Sequence, residues 1–165
     1  MSIVESLVTF CAPYAKIYNH SKLLSNGTTW AHLASMMAAG GVAISADRKS
    51  LLLPAGDAAA ARSLATELGT LHRWVITGLV VSAVSGGMMF AADVDAFATS
   101  PLYWSKMGTV ALLLGNGLLL QRAELGLATT PEDPTARERM RVAAATSLVL
   151  WFAVSLLGTV LKNEA

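Results

Sequence analysis

Apolar and polar positions in this chain segregate by whole segments rather than residue by residue. Four apolar runs reach the roughly 20 residues that a helix needs to cross the hydrocarbon of a bilayer. The first runs from Thr28 to Ala46 and is closed by Asp47-Arg48-Lys49. The second, Trp74 to Ala92, is closed by Asp93. The third opens at Ser100-Pro101, a cap followed by proline in the first turn, covers residues 102–121, and ends at Gln121-Arg122. The fourth, Val142 to Leu161, ends at Lys162. Trp30, Trp74, Tyr103 and Trp104 fall near the ends of these runs, where aromatic belts sit. The pattern predicts an all-α fold, with a four-helix transmembrane bundle over residues 27–165.

Residues 1–26 read differently. Ser2 followed by Glu5 is a capping-box pattern. Behind it Ile3, Leu7, Phe10, Tyr14 and Ile17 recur at helical spacing. This predicts an amphipathic interfacial helix from residue 3 to about 18, bent at Pro13 and lying along the membrane surface. Asn26-Gly27 is expected to turn the chain into the first span. Pro54-Ala55-Gly56-Asp57 ends one element, and Asp57 caps an alanine-rich helix that runs into the second span. Pro131-Glu132-Asp133-Pro134 repeats the device, with Asp133 as cap and Pro134 at the first helical position.

Composition agrees with a lipid environment: 54% of residues are hydrophobic, 14% are charged and mean hydropathy is +0.53. A soluble domain carries about 25% charged residues. A net charge of +1 gives no footprint for nucleic acid. The single cysteine, Cys11, excludes an intramolecular disulfide. The start MSIVESLVTF has no basic region and its apolar run is short, so it does not read as a signal peptide. Arg48, Lys49, Arg62 and Arg73 fall between the first two spans, and Arg122, Arg137, Arg139 and Arg141 between the last two. The other side has Lys16, Lys22, Lys106 and Lys162. The positive-inside rule then puts both basic connections in the cytoplasm and both termini on the periplasmic side.

Small residues recur every four positions: Ala31, Ser35, Ala39 and Ala43 on the first span, and Gly78, Ser82 and Gly86 on the second. Gly115 and Gly117 flank Asn116 on the third. In lipid, close approach through such rows is what lets helices associate. Asn116 sits mid-span, where a bare amide is costly, so it must bond a neighbour; Ser147 and Ser155 are the candidates. Two roles stand for it, interhelical glue and a contact to a cofactor or quinone.

His32 and Met36, four apart, share one helix face about 6 Å inside the outer edge of the span. Met88, Met89 and Met107 fall in the same outer layer. Imidazole with thioether suits Cu(I), and a His/Met pair also suits the iron of haem b. The competing reading is that the methionines only fill gaps in the packing. A bis-histidine haem between His32 and His72 is excluded by depth, because the two lie roughly 25–30 Å apart along the normal; a haem would need His32 with His20 or a methionine, or His72 alone. His72, followed by Arg73-Trp74, reads as an interfacial anchor. Lys106 either snorkels outward or pairs with Asp93 or Asp95. No ionisable residue occupies the centre of a span, which weighs against a pump or proton-coupled transporter. No catalytic triad, metalloprotease helix, P-loop or paired catalytic carboxylates are recognisable, so an enzyme reading has no residues to stand on.

The stretches AHLASMMAAGGVAISADR, LHRWVITGLVVSAVSGGMMFAAD and YWSKMGTVALLLGNGLLL resemble a group of uncharacterised bacterial four-helix membrane proteins. More loosely they resemble copper-resistance D-type and cytochrome-b-like bundles, which also have a histidine in an apolar first helix. The first resemblance implies a bacterial inner-membrane location. The second implies a redox or metal role in which only His32 carries over, since the paired histidines of a haem bundle are missing at matching depth. The expected function is that of a non-enzymatic accessory or structural subunit of a larger membrane complex, partnered by lipid and by other membrane subunits or copies of itself. The alternative is a small protein with a Cu(I) or haem b site built on His32 near the outer face.

Overall fold

The computed structural model describes residues 2–54 and 56–164, with side chains as far as Leu161. Ala55 and the Lys162 side chain, expected to take part in a turn and to close the last span, lie outside the described residues. The fold is all-helical: α1 (Ile3–His20), α2 (Lys22–Leu51), α3 (Ala58–Ala92), α4 (Val94–Thr99), α5 (Pro101–Thr129) and α6 (Pro134–Glu164).

The helix starts obey the capping signals. Ser2 and Glu5 form the full capping box. The Asp57 carboxylate accepts from the Ala60 amide at 2.9 Å, Ser100 accepts from Tyr103 at 3.2 Å, and Asp133 accepts from Thr135 at 2.9 Å. The expected turn at Asn26-Gly27 is not there. The chain turns at Ser21, whose backbone is extended and whose hydroxyl accepts from the Leu24 amide at 3.3 Å. Asn26 and Gly27 are helical. The cap prevails because it satisfies an otherwise orphaned amide, whereas Asn-Gly within a helix costs only about 1–2 kcal/mol in propensity. Between the second and third runs, Asp93 caps the short α4, in what the hydrophobic pattern alone marks only as a connection.

Among the described residues, three helices are long and apolar enough to cross a membrane: α3, α5 and Pro134–Leu161 of α6. The run in α2 is as long, but Thr28, Thr29, His32, Ser35 and Ser45 dilute it. The long helices form a ring in the order α2, α3, α5, α6, closed by α6 against α2. At one end α1 packs on α3 and α4. There Phe90, Phe97, Tyr103 and Trp104 form an aromatic cluster in which the Phe90 and Tyr103 rings stack with centroids 5.3 Å apart. At the other, basic end Arg137 holds both connections: its guanidinium donates to the carbonyls of Pro54, Asp57 (2.9 Å) and Pro131 (3.1 Å). Gly56, with φ of 79°, supplies the left-handed residue that the α2–α3 connection needs.

The small-residue rows on α2 and α3 face each other. A Cβ built at Gly78 would lie 2.7 Å from the Ala39 Cβ and 3.1 Å from the Ser35 carbonyl. A Cβ built at Gly40 would lie 3.2 Å from the Trp151 ring, a tight but less severe contact. By contrast a Cβ at Gly115 or Gly117 would meet nothing within 4 Å, so these two are not packing glycines. Two apolar clusters fill the interior. One, around Leu64, Leu68, Leu127 and Met140, lies at the basic end; the other, around Ala39, Leu113, Trp151 and Val154, lies nearer the middle.

Candidate functional site

Two polar layers interrupt this interior. The first contains His32. Its Nδ1 donates to the Ser82 carbonyl at 2.9 Å and lies 3.2 Å from the Ser85 hydroxyl, which itself donates to Val81. A carbonyl only accepts, so Nδ1 carries the proton and the neutral ring keeps its lone pair on Nε2. Gly86 makes room: a Cβ there would sit 3.1 Å from His32 Cε1. His32 thus locks α2 to α3, and Nε2 is the nitrogen left for any ligand. Lys106 stands near enough for its charge to act on the ring, which opposes a second cation there. Its ammonium lies beside Gly158 of α6, and among the described residues it forms no ion pair with Asp93 or Asp95. Asp93 is exposed at the α4 cap.

Met36 packs on the apolar cluster of Leu113, Trp151 and Val154. Met88 lines a groove between α2 and α3 with Thr28, Ala31 and Val84. Met89 and Met107 are partly buried. No group of three or more His, Cys, Asp or Glu side chains placed to hold a metal occurs among the described residues.

The second layer went unseen in the sequence. Asp47 of α2, Glu124 and Gln121 of α5, His72 of α3 and Ser147 of α6 line one cavity of about 160 Å³ between the two apolar clusters. Asp47 is only 1% exposed and Glu124 8%. The Asp47 carboxylate faces the Ser147 hydroxyl, yet its Oδ2 has no hydrogen-bond partner. The Gln121 amide donates to His72 Nε2, so His72 is tied to α5 instead of standing free as an anchor. One turn away Asn116 donates to the Ala143 carbonyl at 2.9 Å, not to Ser147 or Ser155. Ser147 is taken up with Asp47, and the Ser155 hydroxyl donates back to Trp151 within α6. The signal for this layer was periodicity: Asp47 continues the row Ala31, Ser35, Ala39, Ala43 by one more step of four, and Glu124 continues Asn116 and Leu120.

No family model, curated protein or solved structure matches the chain.

Proposed function

We propose that the chain is a four-span, non-enzymatic protein of the bacterial inner membrane, an accessory or structural subunit of a larger energy-transducing complex. The observation that carries this reading is the course of α2. It begins beside α1 at the α4 end and finishes at the basic end under Arg137, so it runs the full length of the three apolar helices. At 1.5 Å per residue its 30 residues reach about 45 Å, enough to cross a bilayer. Large apolar side chains stand exposed on every wall of the ring, among them Met37, Val80, Val84, Leu118, Val149 and Phe152. That is the surface a bundle offers to lipid and to neighbouring helices. The basic end faces the cytoplasm under the positive-inside rule, with both termini outside.

The experiment is a gentle extraction from the native membrane, followed by native electrophoresis, an absorption spectrum and elemental analysis on one sample. The chain is expected in a particle larger than itself, colourless and metal-free in its own right. A lone monomer would overturn the subunit reading. A Soret band or near-stoichiometric copper lost in His32→Ala would replace it with a cofactor site.

A further inference from the structure

We propose that Asp47 and Glu124 form a proton-binding site, in which the two carboxyls facing one cavity toward the basic end of the bundle hold a single proton at neutral pH.

The geometry carries this in three steps. Asp47 is almost wholly buried, with Oδ2 directed at no donor of the protein. A carboxylate in that position is stable only if something neutralises it, because an isolated buried charge is far more costly than a neutral carboxylic acid. The helices around it supply no fixed positive charge. α3 brings His72, already accepting from Gln121; α5 brings Glu124, close enough for the two negative charges to repel; and α6 brings the hydroxyl of Ser147 and the Trp151 ring. Arg48 and Lys49, the next residues of α2, are exposed and point away from the cavity, and Lys49 pairs with Glu67. Two carboxyls that share a cavity without a cation favour one proton between them.

The same facts select a proton over a metal ion. Asp47, Glu124 and His72 line the cavity but are not placed as a three-ligand metal group among the described residues, and His72 Nε2 already accepts from Gln121, whereas a proton needs only the two carboxyls. Its volume of about 160 Å³ has room for a few waters at roughly 30 Å³ each, and the polar groups present give them partners. His72 and Gln121, both partly buried, form the side of the cavity next to the exposed Arg73 and Arg122. Leu113 and Trp151 close it toward the α4 end.

A hydrophobic carbodiimide tests this, since it adds to protonated carboxyls and not to ionised ones. The full-length protein in mild detergent is treated with dicyclohexylcarbodiimide across a pH series and read by intact mass and peptide mapping. One adduct per chain is expected at neutral pH, on Asp47 or Glu124, with none on the exposed Glu132 or Glu138. It is expected to disappear in the Asp47→Asn/Glu124→Gln double variant. In Glu124→Gln alone, labelling of Asp47 should fade at lower pH than in the parent, because the like charge is gone. An unlabelled but monodisperse parent at neutral pH would overturn the proposal, as would single variants whose labelling midpoint does not move. Protection by sodium but not by choline at equal ionic strength would overturn it in favour of a metal-cation site. If the double variant fails to fold, the label map of the parent and the midpoint in Glu124→Gln still decide.

Discussion

At the scale of single residues, two glycines on this chain should respond in opposite ways to the same change. Gly78→Ala puts a Cβ 2.7 Å from that of Ala39, so α2 and α3 must separate. The cost should be about 1–3 kcal/mol, typical of overpacking a close contact. Gly115→Ala adds a methyl where nothing lies within 4 Å and removes a helix-weakening glycine, for a gain of up to about 1 kcal/mol. Unfolding by SDS titration from mixed micelles should therefore move to lower SDS for the first and stay level or move higher for the second. Asn116→Leu removes the bond to Ala143 and should cost roughly 1 kcal/mol in the same assay. Sequence reading found the need of Asn116 for a partner but not which partner, because depth follows from counting residues while helix rotation is set by packing. Asp47 was hidden for a related reason. An acidic residue followed by Arg48-Lys49 looks like the end of a span, and only its register with Ala43 reveals that it turns inward.

Among the elements, the caps were legible and the lengths were not. Ser2, Asp57, Ser100 and Asp133 act where their spacing put them, because each needs only its own next few residues. The start of α2 depended on competition between Ser21 and Asn26-Gly27, and a serine hydroxyl on an amide outweighs a propensity penalty. By sequence Arg137 is one more basic residue of a connection, yet it bonds the carbonyls of Pro54, Asp57 and Pro131 and so joins two connections that are far apart in sequence. Such a contact between distant loops leaves no local pattern. Arg137→Ala should lose about 1–3 kcal/mol, the range for charge-assisted bonds, and should speed limited proteolysis in the 52–57 connection. Arg137→Lys should rescue little, because one ammonium does not reproduce a planar fork directed at three carbonyls. Equal cleavage rates in parent and Arg137→Ala would show that the connections are held by something else.

For the molecule as a whole, hydropathy and packing give different weights to α2, and labelling of its two ends decides between them. Hydropathy admits three helices as membrane spans. The packing of α1 on α4, together with the Arg137 clamp at the far end, makes α2 a fourth strut of equal reach. The polar residues that lower its hydropathy are the ones that hold the bundle together: Ser35 and His32 face α3, and Asp47 faces the cavity. A membrane helix with a polar inner face and an apolar outer one loses average hydropathy without losing its place in lipid. With Cys11 replaced by alanine, single cysteines at the exposed positions Asn19, Asp95 and Glu132 separate the cases. Four spans place Asn19 and Asp95 on the periplasmic side, open to an impermeant maleimide in intact cells, and leave Glu132 protected until the cells are lysed. If α2 did not cross, Asn19 would share the protected side with Glu132. The relative labelling of positions 19 and 132 is therefore enough, and it reports orientation as well: labelling of 132 alone would mean that eight basic residues face outward, against the rule that set the orientation.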